Sequence, residues 1–344
     1  MTPTIELESE LLPSDLEFDR MRDDLLARLD EPARLDPPIH LAPRKRNRAK
    51  HARRAIGAGV LVTAAVAATL IVTNVTGPRG ATAEAAEVLH GAALAAVGSS
   101  DPVVGPGQYL KVDTAEASML FGDHAAVLTH QQVTLYVPSD RSDNWILVRR
   151  GLPAGTQYGD ATSLIRDWEE PGADGHKYGD VVLRSAVAGH FASNPYPFAE
   201  LAELPSTETA LSNYLYSHVT GEQSKDQEVY GEIRQLLDYG LVPAKTRAAM
   251  YGVLADIPGV YLSQGKANLD GRAGVGISLL DSTGNYIQQI IIDPTTGLLI
   301  GTRDLDVTPA GKVPAGVSQD WTAVTTSVVD SAPTGPFATE QQPG

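Results

Sequence analysis

The chain has 344 residues, 42% of them hydrophobic, a formal net charge of −15 and no cysteine; its pI is about 4.9. The lack of cysteine excludes disulfides, thiolate zinc sites, thiol redox chemistry and a lipidated-cysteine anchor. The 55 residues before Ile56 hold 11 acidic and 11 basic side chains, so the net negative charge belongs to residues 56–344, and that region repels nucleic acid.

Residues 1–55 read as a cytosolic tail. Pro3 and Pro13 break its start, and Ser14-Asp15 offers an N-cap to LEFDRMRDDLLARLDEP. Phe18, Met21, Leu25 and Leu29 recur at i, i+3, i+7 and i+11 and make one apolar helical stripe. Pro32 ends the helix. A single helix of about 16 residues cannot bury such a stripe on itself and is marginal in water. It packs on a partner protein, lies on the inner leaflet, or frays in solvent. Asp19, Asp23, Asp24 and Asp30 oppose an anionic leaflet, which puts the partner first. Leu35 to Pro43, with three prolines, reads as a stiff spacer.

Residues 56–75, IGAGVLVTAAVAATLIVTNV, carry no charge. About 20 residues at ~1.5 Å rise cross ~30 Å of hydrocarbon, which predicts one transmembrane helix. Arg44, Lys45, Arg46, Arg48, Lys50, Arg53 and Arg54 flank its N-terminal side, against Arg79 almost alone beyond it. Positive charge stays inside, so the expected protein is single-pass in the cytoplasmic membrane, N-terminus in and C-terminal region out. A secretory signal has a shorter apolar core and a shorter leader, so the anchor is expected to be retained. Ala81-Thr82-Ala83 fits an A-x-A cleavage pattern, the minor alternative.

Residues 76–105 read as a linker and a short helix with Ala86, Leu89, Ala93 and Val97 on one face. His90 beside that face reads as a polar helix residue. Residues 106–330 form the expected extracytoplasmic domain. QYLKVDT, SMLF, AVLTHQQVTLYV and NWILVRR are rich in branched and aromatic residues and separated by turn chemistry, an antiparallel meander. Gly151 to Lys177 is loose, with a short apolar stretch around Leu164, Ile165 and Trp168, and Asp180 to Ala188 reads as a further strand. Asp174, His176 and Asp180 lack the acidic spacing of a calcium loop and read as an exposed loop instead.

From Leu204 the period becomes helical. The first helix is capped by Ser206 or Thr207 and carries Leu211, Tyr214, Leu215 and His218. The second carries Val229, Ile233, Leu236 and Leu237, with Gly240 as its cap. The third follows Pro243 with Ala248, Tyr251, Val253 and Leu254 inward. Tyr214 and His218, one turn apart, read more readily as core packing than as a site. VYLSQGK, AGVGISLL, YIQQIIID and LLIGTRDL then form a second meander, joined by Asp270-Gly271, Asp281-Ser282-Thr283-Gly284 and Asp293-Pro294-Thr295-Thr296-Gly297. A last strand spans Trp321 to Val329, and residues 331–344 are expected to be disordered.

Ser263-Gln264-Gly265-Lys266 matches S-x-x-K, but it ends a predicted strand and lacks the downstream elements of penicillin-recognising enzymes. No nucleophile elbow, phosphate loop, zinc-binding helix or dinucleotide motif occurs. No catalytic residue, metal or cofactor is therefore expected. Carboxylates are plentiful, and whether any pair meets in space is not legible in the sequence.

The phrases AAEVLHGAA, PGQYL, LPSTETALSNYL, VPAKTRAAMYGVLADIPGV, DGRAGVGISL and IIDPTTGLLIGTR resemble an actinobacterial family of single-span membrane proteins of unknown function. Members are often encoded beside extracytoplasmic-function sigma factors, which implies an anti-sigma-like signalling role. The tail lacks the His and Cys pattern of zinc-binding anti-sigma domains. The plan of meander, helices, meander also resembles the curved half-barrel of lipoprotein carriers and envelope-stress sensors. The expected fold is α+β: a large curved antiparallel sheet with short helices on one side, after one transmembrane helix. The expected function is a membrane regulator whose tail binds a sigma factor or another cytosolic regulator through Phe18, Met21, Leu25 and Leu29. The alternative is a membrane-tethered carrier of lipid or another apolar ligand.

Overall fold

The computed structural model describes residues 80–99, 101–170, 180–191, 198–221 and 224–337, with backbone alone at 199–200 and 264–266. The stripe Phe18, Met21, Leu25 and Leu29, the stretch Ile56 to Val75, and Asp174 and His176 lie outside the described residues. Among the described residues no helix is long and apolar enough to cross a membrane.

The fold is α+β, with a large antiparallel sheet of ten strands. Strand β1 (Tyr109–Phe121) pairs with β2 (Ala126–Pro138), β2 with β3 (Asn144–Leu152), and β3 with β5 (Val181–Val187). The two-residue β4 (Gln157–Tyr158) adds to the start of β2. The second meander is β6 (Tyr261–Ala267), β7 (Ala273–Leu280), β8 (Tyr286–Asp293) and β9 (Leu298–Asp306). Strand β10 (Ser318–Val329) pairs with β1 on one side and β9 on the other. The two meanders are thus one continuous sheet. SMLF, expected as a strand of its own, is the end of the unbroken β1.

Five α-helices are described: α1 (Ala83–Gly98), α2 (Thr162–Glu169), α3 (Glu208–His218), α4 (Lys225–Asp238) and α5 (Ala244–Asp256). Helix α4 crosses β9, while α1 and α3 pack on α5. The core lies between these helices and the sheet face that carries Leu110, Val112, Leu135, Leu147, Ile277, Ile290 and Val324. Helix α5 buries residues all round, as a central helix does. Two buried tyrosines hold helices to sheet by their hydroxyls: Tyr230 donates to Ile277 O (2.8 Å) and Tyr251 to Gly297 O (2.8 Å). Trp145 is fully buried, its ring stacked 6.1 Å from Phe198 and its Nε1 donating to Arg141 O at 3.0 Å.

Helix α1 belongs to this core. Ala81 N and Thr82 N donate to Ala255 O (2.9 Å) and Val260 O (2.8 Å), and the Thr82 hydroxyl caps the helix. Ala81-Thr82-Ala83 is therefore the hydrogen-bonded entrance to the folded domain. The buried face is Ala85, Leu89, Ala92 and Ala96; of the expected Ala86, Leu89, Ala93 and Val97, only Leu89 is fully buried, and Val97 is 56% exposed. A helix this rich in alanine carries little amphipathic signal, and close backbone approach chooses its face. Gly297, at φ +63°, sits so near that a Cβ there would lie 2.6 Å from Ala96 N, an approach open only to glycine.

Candidate functional site

Period-two alternation places Leu110, Val112, Thr114, Glu116 and Ser118 of β1 on one face, covered by helices over its first part and exposed at Ser118. Register then carries a change of character across the sheet. Val112 stands opposite Leu135 and Leu135 opposite Leu147, an apolar row. Four residues further along, Glu116 stands opposite Gln131 on β2 and Thr322 on β10, and Asp320 stands opposite Asp304 on β9. Above this polar row ends α4. Its Ile233 and Leu237 enter the core, and the neighbouring Arg234 and Asp238, also four residues apart, share the adjoining stripe.

The polar side chains form a seam of one five-residue network and two flanking pairs. Arg234 Nη2 lies 3.0 Å from Asp304 Oδ1, both side chains under 20% exposed. Its angle falls short of a hydrogen bond, so the contact is ionic. The same Nη2 is 3.5 Å from Thr302 Oγ1, which lies 3.1 Å from Thr322 Oγ1. Thr322 in turn donates to Asp238 Oδ1 at 2.7 Å. Gln131 Nε2 donates to Glu116 Oε2, and Ser118 Oγ donates to Asp320 Oδ1 at 2.7 Å.

Burial dominates the electrostatics here. It pushes the Asp304 carboxyl up to about 6; Arg234 opposes the shift, and Asp320 and Asp238 add to it. Asp238 is raised by burial against the Thr322 hydrogen bond and Arg234. Glu116 is raised by burial against the Gln131 hydrogen bond, with Asp238 adding. Each loses hydration that its partners replace only in part, which shifts it toward the neutral acid. The seam gathers three carboxyls raised by burial, Glu116, Asp238 and Asp304, with Arg234 as its internal cation and the exposed Asp320 at its edge. Among the described residues no group of three or more His, Cys, Asp or Glu is placed to hold a metal ion.

The sequence contained faint signals of this seam: the apolar alternation of β1 breaks at Glu116, that of β2 at Gln131, and α4 carries Arg234 and Asp238 beside its apolar stripe. Convergence of the carboxylates could not be read there. Tyr214 and His218 depart from the expected core packing. Both are exposed on α3, their rings 4.2 Å apart, with His218 Nδ1 2.7 Å from Tyr214 O. The helix turns Leu211 and Leu215 inward, while Tyr214, one residue before Leu215, and His218, three after it, stay out. His90 is exposed, and Ser263 lies inside β6 with its Oγ 3.0 Å from Ser278 Oγ.

No family model and no curated protein matches the chain. Among solved structures it is similar to the complex structure of Pseudomonas aeruginosa MucA/MucB, at 11% identity over 73% of this chain, with a TM-score of 0.27. The chain spans 59% of the length of that structure's chain. It is also similar to a DUF1329 family protein from Desulfovibrio piger, at 11% identity over 71% of this chain and 92% of that one, with a TM-score of 0.17. Overlap at these scores establishes no shared family and no shared function.

Proposed function

We propose that the chain is a non-catalytic, single-span regulatory protein of the cell envelope. Its inner helix binds a cytosolic regulator such as a sigma factor through Phe18, Met21, Leu25 and Leu29, and its outer α+β domain receives the signal. The topology follows from the uncharged stretch Ile56 to Val75 and its one-sided basic flank. The stripe needs a partner because one amphipathic helix cannot bury its own apolar face.

The observation that favours this reading over an apolar-ligand carrier is the filling of the helix-covered sheet face. Trp145, Tyr230, Tyr251, Ile277 and Ile290 are all 0% exposed, so protein side chains occupy the place an acyl chain would need. A groove of about 370 Å³ has a mixed lining, with Asp101 and Lys245 beside Val97 and Leu204.

The test is co-purification of full-length protein with its cytosolic partners, against the double variant Phe18→Asp/Leu25→Asp. Recovery of a sigma factor by the wild type and its loss in the variant, with membrane insertion unchanged, is the expected result. Equal recovery by both overturns the partner assignment. Stoichiometric lipid in mass spectra of the purified protein would restore the carrier.

A further inference from the structure

Strands β9 and β10 stay paired only from Ser318 to Trp321, opposite Leu305 to Arg303. Beyond that point they part. The turn between β6 and β7 bridges the opening: Leu269 N donates to Thr322 O (3.2 Å), and Asn268 Nδ2 donates to Ile300 O (2.7 Å). Past this bridge lies a cavity of about 90 Å³, between Leu298 and Leu299 on one side and Val324 and Thr326 on the other. Two guanidinium side chains line it, Arg247 from α5 and Arg272 from the β6–β7 turn.

Arg247 is 6% exposed. Its Nη1 donates to Val242 O at 2.8 Å, and its Nη2 makes a long 3.4 Å contact with Asp101, whose side chain is 45% exposed. Its Nε is buried and has no partner. A buried N–H left unpaired costs about 1–3 kcal/mol, and such groups are rare without a ligand or water to meet them. Arg272 is exposed at the rim, and its charge also acts on Asp293. The cavity lining holds these two arginines and no carboxylate, with Asp101 and Asp293 acting on them from outside it.

We infer that the gap between β9 and β10 binds a small carboxylate anion, its charge between Arg247 and Arg272 and its short aliphatic body against Leu298, Leu299 and Val324. Guanidinium groups suit carboxylates because their planar N–H pairs match the two oxygens. The cavity has room for several waters or one small organic anion, well below what a lipid chain needs. The site belongs to the outer domain alone, so its test stands apart from the partner assignment of the tail.

Calorimetric titration of the full-length protein in detergent with butyrate, inorganic phosphate and n-butylamine tests the site. Saturable one-site binding of butyrate and none of butylamine is expected. Arg272→Ala, at an exposed position, should weaken butyrate binding about tenfold, the loss of one charge-assisted contact, with the unliganded melting temperature unchanged. Absence of saturable butyrate binding, an Arg272→Ala variant that binds like the wild type, or binding of phosphate alone overturns the proposal.

Discussion

One sheet face carries two opposite solutions to burial. In its apolar half, Leu110, Val112, Leu135 and Leu147 meet the core beneath the helices, and every large side chain is enclosed by others. In its polar half, beginning four residues along the strands at Glu116 and Gln131, enclosed carboxylates are met by threonines, a glutamine and one arginine. The apolar half takes its stability from area removed from water, which is insensitive to pH. The polar half spends stability on desolvated charge and recovers it only in part, which makes its stability depend on protonation.

The largest effect that would break this contrast comes from the apolar half. Trp145→Ala should cost about 3–5 kcal/mol, because a fully buried indole leaves a cavity that the stacked Phe198 cannot fill. Urea denaturation at two pH values should show the same loss at each. A loss that changes with pH would show the halves to be coupled.

The polar half should respond to acid. Asp304 is pushed up to about 6 in the folded domain, against about 3.9 unfolded. The folded state therefore binds the proton more tightly. Its contribution is fully present below about pH 4 and is lost as pH rises through about 6, on the order of 2–3 kcal/mol. Asp238 and Glu116 shift in the same direction. Wild-type stability should fall from pH 5 to pH 7.5, and Asp304→Asn, which cannot ionise, should flatten that fall. Equal slopes for both proteins would remove Asp304 from the cluster's titration.

The smallest effect belongs to neither half. Tyr214→Ala changes an exposed ring beside His218, and its stability should stay within about 0.5 kcal/mol of the wild type. A loss of several kcal/mol, read from the same urea curves, would mean that α3 packs by a different face.

Much of the fold was legible locally. The turn at Asp281-Ser282-Thr283-Gly284 forms as its composition demands, with the Asp281 carboxylate accepting from Thr283 N (2.9 Å), Asn285 N (2.7 Å) and Tyr286 N (2.8 Å). Val229, Ile233, Leu236 and Leu237 of α4 are buried as their spacing implied. Helix α1 was harder, because a run of alanines offers several equivalent faces and the contact with Gly297 selects one. The seam was harder still. Glu116, Asp238 and Asp304 come from elements far apart in the chain, and nothing in the neighbourhood of any one of them announces the others.

The sequence by itself determined the composition limits, the strand and helix periods, the turns and the order of most elements, because those follow from backbone geometry and nearest neighbours. Only the tertiary structure decided that β10 joins the two meanders, that Glu116 stands between Gln131 and Thr322, and that β9 and β10 part above Arg247 and Arg272. The ladder hydrogen bonds that align two strands are made by backbone groups that every residue but proline carries. Side-chain alternation fixes which face a residue takes, while partner and register are chosen by the packing of the whole core.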